Sequence, residues 1–242
     1  HQRVRSVLVV MEVALALVLL VGAGLLLRSF QRVLDTEPGF QPEHVLTASL
    51  NLPTSQYKAD AQIRSFYQSL IERLRQLPGV EAAGASTDLP LKAGWNHIFT
   101  PEGYQPTPGA KLNFANHSVI LGQYLQTMGV PLLRGRYFTE RDNKGSTHVL
   151  LVSQSLAKRY WPNGDAVGKR LKWGPSESKD QWLTIVGVVG DVKQGALEVE
   201  TAPHTYEPFL QNTGSALNVA IRATGDPASL ASAMRSTVST VD

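Results

Sequence analysis

Histidine is the residue type in this sequence best suited to proton transfer or metal binding. The chain contains six: His1, His44, His97, His117, His148 and His204. No two of them are three or four residues apart and the chain has no cysteine, so no metal-binding motif is visible. We expect isolated histidines at surface or helix-capping positions. The sequence therefore predicts no catalytic residue, no cofactor-binding residue and no metal site.

Two glycine-containing segments resemble nucleotide-binding motifs but depart from them. In residues 164–170 (GDAVGKR), three residues rather than four separate the glycines, and Arg170 stands where a P-loop has the Ser or Thr that binds magnesium. Residues 187–190 (GVVG) lack the third glycine of the dinucleotide fingerprint. We expect a turn at the first segment and a bulge or close packing at the second. No cofactor is predicted.

Glu12 is the single charge in an unbroken apolar run of 21 residues, 7–27. About 20 such residues cross the hydrocarbon core as a helix, so a transmembrane anchor is predicted. A carboxylate within a span is costly unless it faces protein, water or the interface. Glu12 therefore either contacts a neighbouring helix or reaches the head groups. Gly22 and Gly24 permit close helix packing, and with Glu12 they are the predicted intramembrane contact residues.

A secretory signal peptide is an alternative for the same segment. Its apolar region usually has about 7 to 15 residues and ends at a small-residue cleavage site, whereas residues 21–24 lead into more leucines and Arg28. Two arginines flank each end of the run, so the positive-inside rule does not give the orientation. Because the chain begins with His1 and stops within a predicted helix, we expect a piece of a longer protein.

The net charge is concentrated beside the membrane segment. The chain has 23 Lys and Arg against 20 Asp and Glu, and the four arginines flanking residues 7–27, set against Glu12, account for the whole net charge of +3. Residues 33–242 are balanced. The sequence therefore contains no basic domain that would indicate nucleic-acid binding.

A strand, a helix and a second strand follow the anchor. Residues 45–52 alternate as a strand, residues 60–77 carry apolar side chains at helical spacing with Asp60 as a possible cap, and residues 80–86 form the returning strand. Residues 91–113 are irregular or loosely alternating.

Regular patterns return in the second half. Ser153 is predicted to cap a helix that ends near Trp161, and Asp226 with Pro227 begins the last helix. That helix lacks a returning strand, which we expect beyond residue 242. The predicted strands are 149–152, 183–192, 205–210 and 216–223.

Many short segments, in a fixed order, resemble one protein family. They are residues 12–16, 22–29, 38–40, 66–80, 124–136, 157–162 with Gly168, 185–192 and 225–227. Together these segments are similar to the MacB-like and FtsX-like permeases of ABC transporters, and most closely to the second half of the duplicated permeases of acidobacteria.

The resemblance implies an α+β fold with one N-terminal transmembrane helix followed by a two-lobed periplasmic domain. Residues 1–32 would form the anchor with its basic flanks, and residues 33–44 a juxtamembrane linker. A strand-helix-strand, porter-like lobe would comprise residues 45–90 and 204–242, with a β-rich lobe, residues 91–203, inserted into it.

The resemblance also implies a non-enzymatic role, in which a permease couples membrane-helix movement to its periplasmic domain for export or mechanotransmission. The N-terminus would be cytoplasmic and the bulk of the chain periplasmic, at the bacterial inner membrane. Expected partners are the lipid bilayer, downstream transmembrane helices of the same polypeptide, a cytoplasmic ABC ATPase, periplasmic proteins and a second copy in a dimer.

Two other classes of protein remain open from the sequence. A single-span sensor or ligand-binding ectodomain would be followed by one further span and a signalling domain. A membrane-anchored hydrolase would bring an acid, a base or a metal site together in the fold.

Overall fold

The computed structural model describes residues 2–34, 37–92, 94–105, 109, 111–196 and 201–241, and within the first helix the side chains of residues 5–31. The chain divides into two compact units, residues 1–37 and residues 38–242.

The first unit is built on one long helix, α1 (Gln2–Leu34), of 33 residues. At 1.5 Å per residue this helix is about 50 Å long, which exceeds the roughly 30 Å of a hydrocarbon core. Its segment Arg5–Gln31 is long and apolar enough to cross a membrane. The anchor predicted from the apolar run is therefore helical, and the helix continues past the run at both ends.

The second unit contains ten strands and four further α-helices in the described part of the chain. The strands are β1 (Val45–Asn51), β2 (Val80–Ser86), β3 (Trp95–Pro101), β4 (Phe114–Gly122), β5 (Leu132–Gly135), β6 (Val149–Ser153), β7 (Arg170–Trp173), β8 (Leu183–Val189), β9 (His204–Pro208) and β10 (Ala216–Ala223). The helices are α2 (Asp60–Arg75), α3 (Tyr124–Thr127), α4 (Gln154–Tyr160) and α5 (Ala231–Val241), the last preceded by a 3₁₀ turn, Pro227–Leu230.

Strands β1, β10 and β2 form a three-stranded group that is covered by two helices. β10 lies between the other two strands and is antiparallel to both, so the predicted strand-helix-strand unit is split by a strand from the end of the chain. The apolar side of α2 and Met234 of α5 pack with these strands into the first core. Asp60 is the first residue of α2 rather than its cap, and the Gln62 side chain accepts a hydrogen bond from the Ala59 backbone instead (3.2 Å).

Six strands close into a barrel. In the order β4, β3, β7, β8, β6, β9 each strand pairs with the next, and β9 pairs with β4 in parallel. The C-terminal end of β4 also pairs with β2, so this nine-residue strand belongs to both groups. A mixed α/β fold with an N-terminal apolar helix and a β-rich domain is what the sequence predicted.

Two further cores accompany the barrel. Leu156 of α4 packs with barrel residues such as Phe99 and Ile185 in the second core. Tyr124 and Leu125 of α3 pack on the opposite side of β4 and β9 in the third. Ser153 caps α4 as predicted, since its Oγ accepts a hydrogen bond from the backbone of Leu156.

The strand order ends at β1 on one side and at β9 on the other, and the pairing of these two strands can be compared with the predicted lobes. β9 pairs with the barrel strands β4 and β6, so residues 204–208 lie with the inserted strands, and Phe209 is the residue that reaches the first core. β1 pairs with β10 along all seven of its residues and, within the described chain, with no other strand.

Candidate functional site

Residues 38–44 connect the membrane helix to the domain, and we refer to them as the strap. The backbone of Gln41 donates to the carbonyl of Met128 (2.8 Å), Lys193 donates to the carbonyl of Pro38 (2.9 Å), and Ala223 donates to the carbonyl of His44 (2.8 Å). The partners in the domain lie just after α3, just after β8 and at the end of β10. The segment expected as a linker is therefore hydrogen-bonded to three parts of the domain.

Arg222 in β10 holds the strap through its side chain. Its Nε donates to the carbonyl of Thr127 (2.9 Å), one terminal nitrogen donates to the carbonyl of Glu43 (2.9 Å) and the other to the carbonyl of Gln41 (2.8 Å). Hydrogen bonds from a charged donor are stronger than neutral ones, and the planar guanidinium fixes the directions of all three. One side chain thus joins β10, α3 and the strap.

Gly39 brings the strap into direct backbone contact with the loop after β8. Its φ is +79°, and a Cβ at this position would lie 1.9 Å from the carbonyl oxygen of Asp191. Any other residue would be strained in this left-handed backbone conformation, and its Cβ would overlap with the carbonyl oxygen. The strap therefore requires glycine here, and the approach leaves it little freedom to shift.

The predicted intramembrane residues all lie on α1. Glu12 is exposed along this helix, and a Cβ on Gly22 or Gly24 would have no atom within 4 Å. At 100° per residue, Gly22 lies about 80° from Glu12 around the helix, whereas Gly24 lies about 120° away on the other side. The helix therefore presents Glu12 and Gly22 toward one side, and Gly24 toward another.

Two histidines are buried, which corrects the expectation of surface or capping positions. His117 is 6% exposed and His204 is 2% exposed. Burial lowers the pKa of each to about 3. His117 Nδ1 lies 3.2 Å from Thr205 Oγ1, and the His204 ring stacks on Tyr206. Both occupy strands whose neighbours come from distant parts of the chain, which is why no local pattern indicated their burial.

The buried carboxyl of Glu207 contacts the same Trp173 side chain as His117. The Glu207 carboxyl accepts hydrogen bonds from Trp173 Nε1 (2.7 Å) and Asn212 Nδ2 (3.0 Å), and the Trp173 ring packs edge-on against His117. Burial raises the pKa of Glu207 despite these two hydrogen bonds. The group is a satisfied polar cluster within the fold rather than an open site.

His204 also contacts a serine side chain, an arrangement that a hydrolytic function would require. Ser118 Oγ lies 3.0 Å from His204 Nε2, but Ser118 is 2% exposed and the adjacent cavity measures about 10 Å³. His204 Nδ1 has no hydrogen-bond partner among the described residues, whereas a catalytic triad places a carboxylate there. With a pKa near 3, this imidazole is a weak base at neutral pH. The pair lacks the geometry of a triad.

The two glycine segments have structural roles. In residues 164–170, Gly164 donates to the carbonyl of Trp161 (3.2 Å) in a turn, as predicted. The register of β6 and β8 shifts next to Gly187, and a Cβ on that glycine would lie 2.6 Å from the carbonyl of Arg136. In the described residues no group of three or more acidic or histidine side chains is placed to hold a metal ion.

Comparison with known proteins places the chain in a family. The family described as "MacB-like periplasmic core domain" matches residues 6–237. The periplasmic region of MacB from Actinobacillus actinomycetemcomitans shares the fold, with a TM-score of 0.51 and 19% identity over 86% of this chain and 90% of that one. The extracellular domain of the noncanonic ABC-type transporter YknZ from Gram-positive bacteria matches with a TM-score of 0.47 and 18% identity, over 80% of this chain and 88% of that one. No curated protein sequence matches significantly.

Proposed function

Because this chain belongs to the family of MacB-like periplasmic core domains, we propose that it is part of a bacterial ABC-type permease and acts there without covalent chemistry. Its role is to couple movement of the membrane helix to the domain outside the membrane, in export or mechanotransmission. The observation that supports this role is the strap. A segment with three backbone hydrogen bonds and the Arg222 contacts transmits displacement to α3 and β10 better than a free linker.

The proposed location follows from the same family membership. The N-terminus lies in the cytoplasm, α1 crosses the inner membrane and residues 38–242 lie in the periplasm. We further propose the lobe division that the resemblance implies, with residues 45–90 and the end of the chain in a porter-like lobe. The partners this role requires are the bilayer, further transmembrane helices of the same polypeptide and a cytoplasmic ABC ATPase. Periplasmic proteins and a second copy of the chain are additional candidates.

We propose that Glu12 and Gly22 contact one neighbouring membrane helix and that Gly24 contacts another. Glu12→Gln is expected to leave membrane insertion intact, because it removes a charge from the span, but to weaken crosslinking between α1 and the other spans of the full-length protein. Met11→Leu, at an adjacent exposed position, is the matched control. Unchanged crosslinking in the Glu12 variant would show that the carboxylate reaches the head groups instead.

The coupling role predicts that opening of the strap depends on Arg222 and on ATP. Glutamyl endopeptidase cleaves after Glu43, and cleavage of a hydrogen-bonded segment requires local opening. In spheroplasts with the full-length protein, Arg222→Met is expected to speed cleavage by added protease about tenfold or more, because three charge-assisted hydrogen bonds are lost. Arg141→Met is the matched control, since Arg141 is exposed and its side chain makes no hydrogen bond or ion pair within the described chain.

Energy depletion separates coupling from mere attachment. In the wild-type protein, cleavage after Glu43 is expected to differ between energised and energy-depleted spheroplasts, and in Arg222→Met the difference should disappear. Equal cleavage of the wild type in both conditions would contradict coupling. Cleavage only after lysis would instead reverse the proposed orientation.

A further inference from the structure

A cleft of about 600 Å³ opens between α2, the C-terminal end of β4 and residues 138–140. This volume lies within the range of about 300 to 1,000 Å³ that is typical of ligand sites. The cleft has an apolar floor that includes Leu121, Phe138 and Leu210, of which Phe138 and Leu210 are half-buried. It is separate from the strap, so binding of a ligand in the cleft does not require the coupling role.

Three glutamines also line the cleft. Gln68 comes from α2, Gln123 precedes α3 and Gln126 lies within α3. None of the three amides hydrogen-bonds to another part of the described chain. Each amide offers both a donor and an acceptor, which is the combination that a peptide backbone presents in return. A ligand lying between α2 and α3 would meet amides on both sides.

The rim of the cleft carries one unbalanced negative charge. Glu72 is paired with Arg75 at 3.4 Å and also accepts a hydrogen bond from Gln76 (3.2 Å). Glu140 has no cationic partner within the described residues. The electrostatic complement of the rim is therefore a single basic group near Glu140.

We propose that this cleft binds an extended peptide segment with apolar side chains on the floor, backbone amides against the three glutamines and a basic residue at Glu140. An apolar floor with a few convergent polar groups is how proteins bind such ligands. The three unpaired amides favour a peptide over a simple apolar amine, which could use only the floor and the charge.

The test uses three probes with the whole chain in zwitterionic lipid nanodiscs, read by fluorescence anisotropy or by competition against the labelled basic peptide. A blocked hexapeptide of alternating leucine and lysine is expected to bind saturably with a Kd of about 0.1 mM. The same peptide with glutamate in place of lysine is expected to bind at least tenfold more weakly. Octylamine has an apolar tail and a cation but no amide groups. It is expected to compete at least tenfold more weakly than the unlabelled basic peptide.

Variants of the cleft separate specific binding from attraction to the lipid. Gln68→Trp fills the cleft and should weaken binding of the basic peptide at least tenfold. Ser65 is also exposed on α2 but lies outside the cleft, so Ser65→Trp should leave this binding unchanged. Glu140→Gln should weaken binding of the basic peptide about fivefold, which is the effect of losing one exposed ion pair.

Absence of saturable binding, equal binding of the two peptides, or equal loss in the two tryptophan variants would overturn the proposal. Octylamine that competes as well as the basic peptide would show an apolar cation site and would also overturn it. Empty nanodiscs report attraction to the lipid alone.

Discussion

Lowering the pH from 6.5 to 4.5 is expected to destabilise the domain by about 5 kcal/mol through His117 and His204 alone. Each folded-state pKa is lowered to about 3 by burial, whereas the unfolded-state value is 6.5. Below pH 6.5 the unfolded chain therefore binds a proton at each histidine that the folded domain does not. The stability is complete above pH 6.5 and is lost as the pH falls toward 3.

Glu207 acts in the opposite direction. The pKa of its carboxyl is raised in the folded domain by burial, so this group binds its proton before the unfolded chain does as the pH falls. It offsets part of the loss within the same pH range. The measured loss should therefore lie below the sum for the two histidines but keep its sign.

The measurement is urea unfolding of residues 38–242 at several pH values between 7 and 4.5, since this segment is a compact unit that contains all three cores. His204→Phe retains a ring against Tyr206 and should remove about half of the loss that the two histidines cause. His44→Asn is the control, because His44 is exposed and asparagine tolerates its positive φ of 62°. A pH dependence that is the same in wild type and His204→Phe would contradict the assignment.

Gly84→Ala is expected to destabilise the domain by about 3 kcal/mol or more, which corresponds to a Tm lower by roughly 10 °C. A Cβ on Gly84 would lie 2.2 Å from the backbone nitrogen of Tyr124 and 2.8 Å from the carbonyl of Leu121. Both obstacles are backbone atoms, so no side-chain rotation relieves them. The substitution forces α3 away from β2 and opens the third core.

Thermal unfolding of the same segment, followed by circular dichroism, measures this effect. Gly214→Ala is the matched control, since its added Cβ would have no atom within 4 Å and its φ is not positive. A Tm within about 3 °C of the wild type for Gly84→Ala would show that β2 and α3 separate at little cost.

The sequence predicted the elements with a strong internal period and missed those defined by distant partners. β2 and β10 were predicted at their observed bounds, and α2 lies within two residues of its predicted end. The short strands β5 and β7 have four residues each, and β4 has a continuous buried run that shows no alternation. Such segments carry too little periodicity to be distinguished from loops.

The candidate site was less accessible from sequence than the fold. Pro38 and Pro42 indicate a break after the membrane helix, but not that the segment between them is held in place. Arg222 contacts the strap across 179 and 181 residues of sequence, and no local pattern marks it. Gly39 was the local signal for a turn, because glycine adopts a positive φ more readily than other residues. The backbone that it contacts, at Asp191, lies far along the chain and could not be inferred from the local sequence.

The position of β10 between β1 and β2 has a consequence for the order of folding. Val45 pairs with Arg222, 177 residues later, so the first strand of the sheet cannot be paired until almost the whole chain has been made. Contacts between residues so far apart in sequence slow folding, because the chain loses the entropy of closing a long loop before the stabilising contacts form. The six barrel strands all lie between β1 and β10 in sequence and are free to assemble earlier. We expect a slow final phase in which β10 inserts, during which the apolar side of α2 stays open to aggregation.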